Sequence, residues 1–283
     1  MILRIANDTG SSTRRVCDVL AAPRSTFYHA RTLTPSQLSD EQMAAHIERI
    51  FRAHRRRYGY RRIVSELSDE GRVCAPARVR RLMAQRGLRA LAQKHFVPKT
   101  SDGRADAPSP NLLLDAPLPP QRNRVFAGDI TFIPTAAGWL YLAVVIDLYS
   151  LKVVGWALAD HMRSQLVIDA LRQALGSHPG TRDAIFHSDR GSQYGSAAFR
   201  SLLKAAGLRQ SMSARANPYH NAWTESLIGT IKTEMLQGGS FNDFNDAKIE
   251  LFFYIESYYN THRKHSALGY LSPAQFESFL TSK

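Results

Sequence analysis

The chain has 283 residues, 44% of them hydrophobic, and its 37 Lys and Arg against 24 Asp and Glu give a formal charge of +13. That length suits about two domains of roughly 150 residues each. No apolar run reaches the ~18 residues of a membrane span, the N-terminus MILRIANDTG has no signal-peptide character, and Cys17 and Cys74 lack CxxC or Cys/His spacing, which argues against a membrane protein, a secreted disulfide scaffold and a zinc finger and leaves the cytoplasm as the expected compartment.

The charge is unevenly spread. Residues 1–124 hold 23 basic and 11 acidic side chains, residues 125–283 hold 14 and 13. A basic half joined to a near-neutral, acid-bearing half is what a DNA grip attached to a catalytic module requires.

In the basic half, SSTRRVCDVL, AAPR and STFYHAR read as a helix, a tight turn and a second short helix, with Val16, Val19 and Leu20 at helical spacing and Ser25 as the second N-cap. A longer helix is expected from Ser39 to His54, with Met43, Ile47, Ile50 and Phe51 on its core stripe. In HRRRYGYRR, Arg55, Arg56, Arg57, Arg61 and Arg62 flank Tyr58-Gly59-Tyr60, and arginines in such a cluster supply phosphate contacts. A second helical pair carries Ile63, Val64 and Leu67 up to Gly71, then Val79, Leu82 and Met83 between Pro76 and Gly87. Because Val79 and Leu82 turn inward, Arg78 and Arg81 share another face, expected to lie against a duplex. Residues 1–91 are thus expected to form an all-α helix-turn-helix DNA-binding region. Residues 92–124, with six prolines, read as a linker.

Beyond it, VFAGDITFIP, WLYLAVVIDLYS and KVVGWALA are strand-like runs that predict an antiparallel meander. A helix from Ser164 to Leu175, the strand AIFHSD, a helix from Ser196 to Ala206 and the strand LRQSM follow. With a helix from about Asn221, the order is β-β-β-α-β-α-β-α, an α/β core over 125–238. A helical extension over 239–283 holds an aromatic helix from about Asn245 to Tyr259 and the basic run NTHRKHSALGYLSP.

Three acids stand out in the core. Asp129 lies inside the first strand, Asp189 ends the fourth, and Glu225 is on a helix with thirty-five residues between it and Asp189. A charge in an apolar strand is costly unless paired or bound to metal, and neighbouring carboxylates raise one another's pKa. Meeting at one point, the three would form a site for a hard divalent cation with oxygen ligands. Lys232 follows Glu225 by two helical turns and shares its face. Asp147 also ends an apolar strand and is read as a structural residue or one that supports the site without touching the metal.

The strand Asp, the motif HSDRGSQY, and NPYHNAWTESLIGTIK with its Glu225 and Lys232 resemble the DDE transposases, and among them the integrase-type protein of the second reading frame of bacterial insertion sequences. The likeness runs from the helical half to YYNTHRKHSALGYLSPAQF. It implies a ribonuclease H-like core of the retroviral-integrase kind, with Asp129, Asp189 and Glu225 as catalytic metal ligands for Mg²⁺, or Mn²⁺ in its place. It implies further that Lys232, Arg190 and Arg215 contact DNA, that the partner is double-stranded DNA at element ends and target, and that the protein is a nucleoid-associated homo-oligomer, made alone or with an upstream-frame protein. Two positions depart from the pattern: His220 stands where Asp is usual, and Phe126 where Trp is. A helix-turn-helix regulator with an inert core, a metal nuclease that cuts without joining, and a purely structural role in which the basic half does not bind DNA are the alternative readings.

Overall fold

The structure, a computed structural model, describes residues 1–24, 34–92, 108–114, 117, 119–177, 181–213, 222–237 and 239–281. The chain divides into a helical unit, Met1–Ala90, and a mixed unit, Leu91–Lys283.

The first unit holds α1 (Ile2–Thr9), α2 (Thr13–Val19), α3 (Pro35–Ala53), α4 (Tyr60–Asp69) and α5 (Pro76–Gln85). α1 was not expected. α3 starts four residues before the predicted Ser39, because Thr34 and Gln37 form a reciprocal capping box ahead of Pro35 at the first turn. Ile47, Ile50 and Phe51 of α3, Ile63 and Leu67 of α4, and Val79, Leu82 and Met83 of α5 are buried. In α2, Val16 and Cys17 are buried while Val19 and Leu20 face solvent, since the helix ends at Val19 and the chain turns at Ala21 with φ 48°. The second short helix expected after it, with Ser25, lies outside the described residues. α4 and α5 stand as the spacing predicts, with Gly71 and Gly87 in the left-handed region at φ 73° and 64°, where a side chain would be strained.

The second unit is built on a five-stranded sheet of order β3-β2-β1-β4-β5, from β1 (Val125–Thr135), β2 (Gly138–Asp147), β3 (Val153–Ala159), β4 (Ile185–Ser188) and β5 (Arg209–Met212). The first three strands form the expected antiparallel meander, and β4 and β5 add in parallel. α6 (Ser164–Ser177), the short α7 (Ser192–Gly195) and α8 (Ala197–Ala205) follow, then α9 (Ala222–Leu236), α10 (Phe244–Phe252), a π-helical turn (Phe253–Tyr259) and α11 (Pro273–Thr281).

Strand alternation separates two cores. Phe126 and Ile130 of β1 pack with α6 and α8 on one face, and Ala127 and Ile133 pack with α9, α10 and the π-helical turn on the other. Part of the Pro-rich segment lies along β5: Pro110 accepts from the backbone of Met212, and Leu112 N donates to Ser211 Oγ at 2.9 Å. Ile255 and Tyr259 are buried as their apolar character predicts, whereas Phe252 and Phe253 are half-exposed. No helix among the described residues is long and apolar enough to cross a membrane.

Candidate functional site

β1 is the central strand, and its parity decides where Asp129 points. Ala127 and Ile133, which share its parity, face α9, so Asp129 does too. The parallel rungs to β4 run Val125–Ile185, Phe126–Phe186 and Ala127–His187. Two residues beyond the last rung on each strand stand Asp129 and Asp189. The crossover between β1 and β4 thereby makes neighbours of acids 60 positions apart.

α9 presents its apolar stripe to the same face. Thr224, Leu227, Ile231 and Glu234 are buried, and this spacing rotates Glu225, Ile228 and Lys232 onto the adjoining stripe. Electrostatics link these groups to β1. Burial first, then the charges of Asp189 and Glu225, push the half-buried Asp129 carboxyl up to about 8 against the pull of Ile130 N–H and Lys232. Desolvation also raises Glu225, and it lowers Lys232 while Asp129 pulls the ammonium back up.

Among the described residues, no three His, Cys, Asp or Glu side chains are arranged to hold one metal ion. The acids share an electrostatic neighbourhood without forming a single coordination shell. The donor set still fits a hard cation: Asp129 and Asp189 are adjacent oxygen donors, the charge of Asp189 raises Asp129, and Glu225 adds to the same negative potential.

The loop after β4 is fixed by its own side chains. Asp189 Oδ1 accepts Gly191 N–H at 3.0 Å, and Arg190 Nε donates to the Ser213 carbonyl at 2.8 Å. Arg190, expected on DNA, therefore ties this loop to the end of β5. His187 is fully buried, with Nδ1 2.8 Å from Ser211 Oγ, so its ring is held inside the fold. Arg215 and His220 lie outside the described residues.

Two contributors escaped the sequence reading. Tyr194, the last residue of HSDRGSQY, is buried and electrostatically coupled to Asp129 and Asp189, with burial as the larger reason that its hydroxyl is held well above its usual range. Gly128 precedes Asp129 where a Cβ would stand 2.6 Å from Phe186 Cζ and 3.4 Å from Tyr194 Oη. Phe186 cannot yield, being locked against Phe199 and Tyr194 with ring centroids at 5.3 and 6.1 Å. Gly128→Ala is expected to destabilise the core by about 2 kcal/mol, which urea melts measure.

Asp147 has its oxygens engaged by the backbone. Oδ1 accepts from the N–H groups of Tyr149 and Ser150 at 2.9 and 3.0 Å, and Oδ2 from that of Asn123 at 2.6 Å. It is 1% exposed and closes the turn after β2. These bonds favour a structural role for this acid.

In the helical unit the arginines sort into two sets. Arg55 and Arg56, in the left-handed region at φ 48° and 63°, and Arg61 are exposed. Arg57 is buried, and Arg62 lies over the ring of Tyr58, itself buried and stacked on His54 at 3.8 Å. Arg78 and Arg81 reach back to Asp40 of α3 at 2.8 and 2.7 Å, and their hydrogen bonds hold its carboxyl below the usual range. Arg80, between them on the same helix, is exposed.

The chain matches the profile described as "HTH-like domain" over residues 37–96, and two described as "Integrase core domain" over 119–218 and 206–273. It is 39% identical over 249 residues to the transposase for insertion sequence element IS904 of Lactococcus lactis, spanning 88% of this chain and 98% of that one. It is 38% identical over 271 residues, 94% of each chain, to the transposase InsF for insertion sequence IS3A of Escherichia coli. Among solved structures, the HTLV-2 integrase catalytic core domain in complex with magnesium aligns at 17% identity and a TM-score of 0.41, covering 56% of this chain and 98% of that one. With relatives this similar over nearly their whole length, the chain belongs to the integrase-core transposases of bacterial insertion sequences.

Proposed function

We propose that the chain cleaves the ends of its insertion sequence and joins them to target DNA by metal-dependent phosphoryl transfer, with Asp129, Asp189 and Glu225 as the acid triad. The observation that carries this is the convergence of the other two acids, Asp189 and Glu225, on one half-buried carboxyl, Asp129, on the central strand, with Asp189 brought there by the parallel pairing of β1 with β4. Asp129 and Asp189 would hold Mg²⁺ or Mn²⁺, and Glu225 would complete the set. A bound cation lowers the pKa of an attacking water or 3′-hydroxyl and stabilises the leaving oxygen. The protein's own part is to orient. The Asp189 loop is braced by Gly191 and Arg190, Gly128 leaves room for Phe186 and Tyr194, and Lys232 points a cation towards the DNA phosphate from the stripe that carries Glu225.

The test is an assay on labelled DNA bearing the element's ends, in Mg²⁺ or EDTA, comparing wild type with Glu225→Gln. Nicked and joined products that need Mg²⁺ and fall about 10²-fold in the variant are expected. Nicked products without joined ones would leave a nuclease; equal DNA binding with no products from either protein would leave a regulator.

For the helical unit, we propose that Arg55, Arg56 and Arg61 contact phosphates, whereas Arg78 and Arg81 hold α5 to α3. Arg61→Ala should then flatten the slope of log K against log salt by about 0.9. Arg78→Ala should instead lower the melting temperature of the unit and leave the slope of the folded fraction unchanged.

A further inference from the structure

The run NTHRKHSALGY looks like another DNA-contacting stretch, but its charges are buried: Arg263 is 5% exposed, Lys264 3% and His265 9%. Arg263 forks onto Glu234, with Nη2 2.8 Å from Oε1 and Nε 3.0 and 3.1 Å from the two carboxylate oxygens. Tyr254 Oη donates to Glu234 Oε2 at 2.9 Å from the π-helical turn. The guanidinium also faces the Tyr259 ring at 5.6 Å, and Nη1 lies 3.3 Å from His265 Nε2.

Glu234 is two residues beyond Lys232 on α9. Three residues before Arg263, Asn260 brackets the β3 backbone, with Oδ1 accepting from Val153 N at 3.0 Å and Nδ2 donating to Val153 O at 2.9 Å. One short segment thus holds the sheet, which carries Asp129, through Asn260, and the helix that carries Glu225 and Lys232 through Arg263. A buried guanidinium-carboxylate fork is a directional restraint, because each of its hydrogen bonds has a preferred line.

We propose that Arg263, through Glu234 and Tyr254, is a positioning residue that sets the height and rotation of α9 over the sheet, and so the distance of Glu225 and Lys232 from Asp129 and Asp189. This rests on the reading of the acids proposed above. Misplacement by about 1 Å costs about 10²-fold in rate, and loss of a group that orients ligands costs about 10–100-fold in metal affinity.

The experiment uses the full chain as wild type, Arg263→Lys, Tyr254→Phe and the apolar pair Glu234→Met with Arg263→Leu. It measures melting temperature, DNA binding, Mn²⁺ binding by electron paramagnetic resonance, and metal-dependent cleavage. Arg263→Lys should bind DNA as wild type does, cleave about 10²-fold more slowly and need about tenfold more Mn²⁺. Tyr254→Phe should show the same shifts at about fivefold, and it carries the test if Arg263→Lys does not fold. The apolar pair should regain the melting temperature, since apolar replacement of a buried pair commonly does, yet remain slow with weak Mn²⁺ binding. An apolar pair as active as wild type would overturn the proposal in favour of a purely stabilising role. So would Tyr254→Phe with wild-type cleavage and Mn²⁺ affinity. A wild type that neither binds Mn²⁺ nor cleaves would overturn the reading of the acids, and the proposal with it.

Discussion

Replacing Asp129 with Asn is expected to abolish strand cleavage and joining, by about 10³-fold, and to make the metal-free protein more stable. Both effects have one cause. The carboxyl is half-buried beside Asp189 and Glu225, and its folded-state pKa is pushed up to about 8 from an ordinary 3.8. Between those values the folded protein keeps a proton that the unfolded chain has released, so the stability contributed by this group is full below about pH 4 and is lost as pH rises towards 8. Asn carries no charge and removes that dependence. Because Asp129 is only half-buried, solvent screening reduces the gain, which should be about 2 kcal/mol at pH 8 in EDTA and vanish near pH 4. Thermal melts from pH 4 to 8 in EDTA measure it, and a wild-type melting temperature that climbs with pH across that window would count against the coupled carboxyl. A site that trades stability for chemistry should show this opposition.

Much of the fold could be read in advance because its signals are local. Pro76 and Gly87 mark the ends of α5, the alternation in VFAGDITFIP and WLYLAVVIDLYS gives two strands, and HSDRGSQY marks a strand end before a turn. The start of α3 was misplaced because a capping box at Thr34 and Gln37 outweighed the weaker apolar pattern that follows it. The three acids of the proposed triad stand out from order and spacing, but their relative placement does not. That Asp129 and Asp189 are neighbours depends on the parallel pairing of β1 with β4, a contact between segments 60 positions apart. The burial of Arg263 was equally hidden, because its flanking sequence is polar and its partner lies 29 residues away. For Arg78 and Arg81, helical periodicity gave the correct face, but nothing local announces that Asp40 occupies it. What local sequence does not encode here is the identity of partners across the fold.

Asp147→Ala should do the reverse of Asp129→Asn, costing about 3 kcal/mol of stability while leaving the catalysis of the folded fraction within about threefold of wild type. The carboxylate accepts three backbone N–H groups, from Asn123, Tyr149 and Ser150, with the Ser150 hydroxyl at 3.3 Å as a fourth donor. Burial raises its pKa while those three N–H bonds oppose the rise, so the acid depends on the turn as much as the turn depends on it. Alanine leaves the donors in a pocket of almost no solvent access, and each buried unsatisfied donor costs about 1–3 kcal/mol, less wherever water can enter. Asn should be intermediate. Its oxygen can replace Oδ1 for Tyr149 and Ser150, but its amide would then meet the Asn123 N–H donor to donor. The ranking wild type, Asn, Ala in urea melts, with cleavage per folded molecule preserved at low temperature, would separate this acid from the proposed triad. Cleavage lost in a well-folded Asp147→Asn would instead place it among the reacting groups. The two acids sit on paired strands three rungs apart, Asp147 of β2 facing Phe126 of β1 and Asp129 of β1 facing Val144 of β2. Their contrast lies in who solvates the charge: backbone donors at 147, and at 129 a raised carboxyl among other acids with Ile130 N–H as its backbone donor and Lys232 as its nearby cation.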